Sequence, residues 1–275
     1  MRAISFILLL ICFTISAIAQ PTTFNITVND TLNLSSLNSR PIEFPQGIYI
    51  TSAFGYGLSL PEGGYQMIYK VNEAGELIQK KINYDTSPRR YHGFSNLIKT
   101  LDNNLILASA RTLIGSTGGN RIIAMKTSND LNDTLWTYFH SDSLFFDTIA
   151  DLIEADNGDV LISARRRPFE NDSMLGVFIR LNSAGEFINE KIIRERKVQA
   201  QESIVQMADG NFLIGGTRGP NSGDLRGFLM KISPEGEILW SQDYPQITEC
   251  GMSLYNDSTI ILSGYIYPTG RQNYY

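Results

Sequence analysis

Three consecutive arginines, Arg165, Arg166 and Arg167, are the side chains in this sequence best suited to chemistry, and Arg194, Arg196 and Lys197 follow further along. Guanidinium groups present planar forks of N–H donors that match carboxylates and sulfates bidentately. Gathered on one rim of a fold, Arg165, Arg166, Arg167, Arg194 and Arg196 would form a patch for an anion or an acidic glycan. Glu170, Asp172, Glu190 and Glu195 lie among them. If those acids are their partners, the same arginines are only the balanced charges of solvated loops.

Other chemistries find less support. Asn129-Asp130-Leu131-Asn132-Asp133 supplies oxygen atoms close together, but calcium asks for roughly six to eight ligands and the EF-hand spacing with its terminal glutamate is missing. A hairpin turn accounts for the segment. His92 and His140 are the only histidines and neither has a zinc-ligand spacing, so both read as surface or loop residues. Cys250 has no histidine or cationic pattern beside it and reads as a small buried strand residue. Gly236 and Trp240 have the Gly-x-x-x-Trp spacing, Trp136 stands at the equivalent place in an earlier segment, and Ile78 and Ile188 replace it elsewhere. The bland role for Trp240 is a large side chain filling space between packed sheets.

Acids that a catalyst might use, Asp102, Asp156, Asp209 and Glu235, sit in turn signals that already explain them. No nucleophile elbow, P-loop or dinucleotide fingerprint occurs. No cofactor is implied, and no catalytic or metal-binding residue can be assigned. Asp followed by Ser or Thr and then an aliphatic residue or Met recurs at Asp30-Thr31-Leu32, Asp133-Thr134-Leu135, Asp142-Ser143-Leu144, Asp147-Thr148-Ile149 and Asp172-Ser173-Met174. This resembles the O-glycosylation acceptor of certain exported bacterial proteins. It also arises by chance in a chain this rich in Ser, Thr and Asp.

The elements that must position these residues are repeated. An apolar core recurs as Ile48-Tyr49-Ile50, Leu105-Ile106-Leu107, Val160-Leu161-Ile162, Phe212-Leu213-Ile214 and Ile260-Ile261-Leu262, at intervals of 57, 55, 52 and 48 residues. Four of the cores follow an Asx or Gly turn signal, such as Asp156-Asn157-Gly158 and Asp209-Gly210-Asn211; the first has Pro45-Gln46-Gly47 instead. A further strand, a second turn such as Asn182-Ser183-Ala184-Gly185 or Ser233-Pro234-Glu235-Gly236, and an outer strand come after, and one apolar stretch precedes each core. Four short strands per period with tight turns predict an all-β chain, a β-propeller of four-stranded antiparallel blades, with four complete blades and a partial fifth. Outer strands are expected to be increasingly polar, as edges facing water should be.

Composition agrees with that architecture. Apolar residues make up 43% and charged residues 19%, with 23 glycines among 275 residues, which suits many tight turns and gives no sign of disorder. The net charge of −5 supplies no basic field, so nucleic acid is not an expected partner.

Residues 1–19 read as a signal peptide: Arg2 at the start, an apolar run from Ile4 to Ile15 too short to span a bilayer, and Ala17-Ile18-Ala19 before Gln20. The expectation is a secreted or cell-surface protein with no integral membrane segment after cleavage, and Cys250 as its one remaining cysteine. Residues 20–44 form an N-terminal segment and residues 45–275 the propeller. Laying the fifth unit on the fourth places residues 271–275 on its third strand. Either more units follow, or Phe24-Asn25-Ile26-Thr27-Val28 closes a five-bladed ring.

The unit Asp-Gly-Asn-Phe-Leu-Ile-Gly-Gly-Thr at 209–217, with Gly-Phe-Leu-Met-Lys-Ile-x-x-x-Gly-Glu-Ile-Leu-Trp at 227–240, resembles the repeat of exported bacterial β-propeller proteins that often carry a type IX secretion sorting domain. That resemblance covers about residues 45–275 and implies a propeller with a surface or secreted destination; the sorting domain does not occur in this sequence. The Gly236/Trp240 spacing also resembles the repeat of quinoprotein dehydrogenases, without their Ala-x-Asp-x-x-Thr. The function expected is a binding or interaction module for protein or glycan. The alternative is a propeller enzyme, a quinoprotein-like oxidoreductase or a carbohydrate-active enzyme, which would gather polar side chains around the ring axis.

Overall fold

The computed structural model describes residues 41–45, 47–56, 64–83, 89–113, 119–140, 145–168, 173–195, 198–220, 224–245, 247–256 and 259–265. The signal peptide, the segment 24–28, Arg196 and residues 266–275 lie outside them. The described residues form four antiparallel sheets of four strands and one of two, each in simple chain order, with no helix. The first sheet holds β1 (Ile42–Phe44), β2 (Ile48–Tyr56), β3 (Gly64–Val71) and β4 (Leu77–Asn83); the second β5 (Arg89–Lys99), β6 (Leu105–Leu113), β7 (Asn120–Thr127) and β8 (Thr134–Phe139). The third has β9 (Phe145–Glu154), β10 (Val160–Pro168), β11 (Leu175–Leu181) and β12 (Phe187–Ile193); the fourth β13 (Val198–Gln206), β14 (Phe212–Gly219), β15 (Arg226–Ile232) and β16 (Ile238–Tyr244). β17 (Thr248–Asn256) and β18 (Thr259–Tyr265) open a fifth. First strands β5, β9, β13 and β17 lie side by side in succession, so the sheets are the blades of a β-propeller.

Turn chemistry sets the ladders. Gly75, Gly185 and Gly236 take φ of 79°, 79° and 84° between the third and fourth strands. In the second blade Leu131 stands there instead at φ 64°, a strained conformation for a β-carbon. It is tolerated because its side chain is buried against Leu105 and Leu107 in the seam between the first two blades. Each third-to-fourth ladder slips by one residue beside its turn, at Lys70/Val71, Lys126/Thr127, Arg180/Leu181 and Lys231/Ile232, and such bulges strengthen the local twist.

Alternation along the strands sends neighbouring side chains to opposite seams. On β10, Val160, Ile162 and Ala164 pack against Ile106, Ile122 and Tyr138 of the second blade. Leu161 packs the other way, with Phe212, Phe228 and Met230 of the fourth. That two-sided burial explains the continuous apolar second strands.

Two expectations require correction. The register aligns Gln79 and Asn189, not Ile78 and Ile188, with Trp136 and Trp240. Trp136 does fill a seam: its Nε1 donates to Ser183 O at 3.2 Å and its ring lies over Gly185. Trp240 is 43% exposed, and the fifth-blade turn equivalent to the one at Gly185 lies outside the described residues. Outer strands are also less polar than their charges suggest, since Leu77, Ile78, Phe187, Ile188, Ile238 and Leu239 are exposed near their starts.

Candidate functional site

Arg165, Arg166 and Arg167 lie near the end of β10, and strand alternation divides them. Arg166 points into the seam with the second blade and its side chain is 1% exposed. Its register partner on β9 is Asp147, itself buried. Arg166 Nε donates to Asp147 Oδ1 at 2.9 Å and Nη2 to Oδ2 at 2.8 Å. On β12, Glu190 Oε1 accepts from Nη1 at 2.8 Å. His140, directly after β8, brings Nε2 to 2.8 Å from Glu190 Oε2, and Tyr138 Oη lies 2.8 Å from His140 Nδ1. Phe145 closes the cluster beneath the guanidinium at 4.8 Å.

The electrostatics are those of a buried structural clamp. Burial pushes the Asp147 carboxyl above its ordinary range, and the Arg166 fork brings it only part of the way back. Burial acts on Glu190 too, but hydrogen bonds from His140 and Arg166 outweigh it and hold this acid below its usual value. Burial and the Glu190 charge raise the Tyr138 hydroxyl. Arg166 therefore does not belong to a solvent-facing patch, because two carboxylates and a seam consume it. His140 is likewise corrected: it is buried between blades, not a surface residue. His92 lies within β5.

Arg165 and Arg167 face the other way and line an open cleft of about 240 Å³ with Asn120, Phe146, Thr148 and Met174. Their β9 register partners are Thr148 and Phe146, so two cross-strand pairs make the cleft wall. Arg165 is partly committed, since its Nε donates to Gln201 O at 2.9 Å and its Nη2 lies 3.9 Å from Glu202. Arg167 is exposed, with its guanidinium 5.2 Å from the Phe146 ring centre. Among the described residues it has no carboxylate partner. Arg194 is exposed at the end of β12 and does not line this cleft. Glu195 next to it pairs with Arg218.

A regularity underlies this arrangement. Arg111, Arg166 and Arg218 occupy the same place on the second strands of blades two, three and four. Arg218 is clamped like Arg166, by Glu195 and by Asp243, whose Oδ1 accepts from Nε at 2.6 Å, and lies over Phe228. The spacing of the three matches the blade period and was available in the sequence; the Arg165–Arg167 run draws attention away from it. Among the described residues no cluster of three or more His, Cys, Asp or Glu could hold a metal ion. No described helix is long and apolar enough to cross a membrane.

No protein-family model and no curated protein sequence matches the chain. Solved structures do resemble it. An α-L-arabinanase from Penicillium chrysogenum superposes with a TM-score of 0.54 at 12% identity, over 83% of this chain and 75% of its own. The Fusarium graminearum α-L-arabinofuranosidase Arb93A gives 0.53 at 9% identity, over 82% of this chain and 71% of that one. A polysaccharide lyase gives 0.50 at 10%, with 78% of this chain matched to 52% of the lyase. At such identities the likeness carries the β-propeller fold alone.

Proposed function

We propose that the chain is an exported β-propeller that binds glycan, non-catalytically, in the cleft between β9, β10 and the start of β7. The observation that carries this reading is the cleft lining: an aromatic face, a hydroxyl, an amide and two guanidinium groups converge there. Sugar rings present both C–H faces for stacking and hydroxyls for hydrogen bonding, so this mixture suits them. The α-L-arabinanase, the α-L-arabinofuranosidase and the polysaccharide lyase of similar fold lend support to a saccharide ligand. The described lining holds no carboxylate, whereas glycoside hydrolysis ordinarily needs a pair of them flanking the bond. Export rests on the leader at 1–19.

Affinity electrophoresis of the mature chain in gels containing soluble polysaccharides tests the reading. Retardation is expected, and Met174→Trp, which fills the cleft, should abolish it. No retardation by any polysaccharide, or equal retardation of the variant, would overturn it, and release of reducing ends would favour the enzymatic alternative. N-terminal sequencing of the exported protein should begin at Gln20.

A further inference from the structure

We infer that Arg167, stacked on Phe146, reads a single acidic group on a saccharide chain, so that the ligand is a sparsely charged acidic polysaccharide rather than a neutral one. This rests on the cleft being the glycan site. The argument begins with the division of labour among the three arginines. Arg166 is neutralised by Asp147 and Glu190 inside the seam. Arg165 is tied to the Gln201 carbonyl and approaches Glu202. Arg167 alone of the three is exposed without a carboxylate among the described residues.

Its geometry is prepared for an anion. Phe146 lies directly across the ladder from Arg167 and sits beneath its guanidinium, which limits the rotamers of a long side chain before any ligand arrives. The N–H edges of a stacked guanidinium stay available for a bidentate carboxylate or sulfate. Beside it, exposed Thr148 offers a hydroxyl of the kind that saccharide hydroxyls meet. A volume of about 240 Å³ suits one sugar ring better than an oligosaccharide.

Overall charge narrows the ligand further. A chain of net charge −5 repels a densely charged polyanion along its length, and the exposed Arg167 guanidinium cannot offset that. A polysaccharide carrying isolated carboxylates or sulfates meets little of this repulsion.

Titration calorimetry of the mature protein with polygalacturonate, sparsely sulfated dextran, unmodified dextran and a single-stranded oligonucleotide separates the sources. Binding is expected to one or both acidic polysaccharides, weakening with salt. Arg167→Gln should lower that affinity roughly tenfold or more, as loss of a charge-assisted bidentate contact does. Arg167→Lys should recover only part, and the melting temperature should not move, because the side chain is exposed. Equal affinity for unmodified dextran, unchanged binding by Arg167→Gln, or tighter binding of the oligonucleotide would overturn the inference. Neutral-glycan binding lost in Met174→Trp but kept in Arg167→Gln would leave the glycan site standing while this inference falls.

Discussion

Arg166 and Asp147 face one another as register partners on β10 and β9, doubly hydrogen-bonded and both shut away from water in the seam between the second and third blades. A buried pair of this kind is costly to break and adds little net stability, because the desolvation of two charges offsets their attraction. The raised Asp147 carboxyl is the sign of that cost. Replacing Arg166 alone by Met strands the Asp147 carboxylate and should cost about 3–5 kcal/mol in urea unfolding. Because Glu190 also accepts from Arg166, replacing all three, with Arg166→Met, Asp147→Leu and Glu190→Gln, should return stability to within about 1 kcal/mol of the native chain. A triple variant as weak as the single one would show the cluster to be a net source of stability.

The two tryptophans make a second contrast. Trp136 is pinned across a seam by its bond to Ser183 and its contact with Gly185, whereas Trp240, at the same strand position, is 43% exposed. Trp136→Ala should cost about 3–5 kcal/mol, the range for a large aromatic removed from a packed site, and Trp240→Ala less than about 1 kcal/mol. Tryptophan fluorescence gives an independent check. Emission from Trp136→Phe, which leaves Trp240 alone, should lie to the red of emission from Trp240→Phe.

Acid should weaken the fold through the turn carboxylates. Asp209 is pushed down to about 2, first by its hydrogen bond from Lys231 and then by Asn211. Burial alone would raise Asp102, but hydrogen bonds from Thr100, Lys126 and Asn104 win and hold it well below the usual range. A depressed folded pKa stabilises above the unfolded value and is lost as pH falls through the folded one. Asp147 has the opposite sign, since protonation favours its buried form. With Asp102, Asp209 and Glu190 on one side and Asp147 on the other, the melting temperature should fall between roughly pH 4 and pH 2. Asp209→Asn should flatten that fall; an unchanged slope would show the turn pair to be inert.

What the sequence made legible was set by local rules. Period, turn residues and continuous apolar second strands are consequences of chain geometry, and they placed the four-stranded blades except for β1, Ile42–Phe44, which lies ahead of the start expected at residue 45. Cross-strand partners are a different matter. Lys126 reaches Asp102 at 2.9 Å and Lys231 reaches Asp209 at 2.5 Å, each joining a third strand to the turn that precedes the second. Those acids stood out in the sequence only as turn formers, because a cation one hairpin away leaves no local mark. Arg166 shows the same limit more sharply. Adjacent arginines look alike in a row, but strand alternation sends one into a charged seam and its neighbours to a cleft, and the acids that neutralise it come from β9 and β12.

Turn glycines should differ in sensitivity according to what they meet. Gly185 and Gly210 share a φ of 79°, so any β-carbon there carries the same backbone penalty, about 1–2 kcal/mol. Their surroundings do not match. A β-carbon on Gly210 would find nothing within 4 Å, while one on Gly185 would lie 2.5 Å from Cδ2 of the Trp136 ring. An indole wedged between blades and bonded to Ser183 has little freedom to retreat. Gly210→Ala should therefore lose only the conformational term, and Gly210→Asn less still, because Asn tolerates the left-handed region. Gly185→Ala should lose that term plus the displacement of Trp136, and the added loss should shrink when Trp136→Ala is already present. Equal losses for Gly185→Ala in both backgrounds would mean that the indole yields without cost and that the second-to-third seam is not closed by this contact.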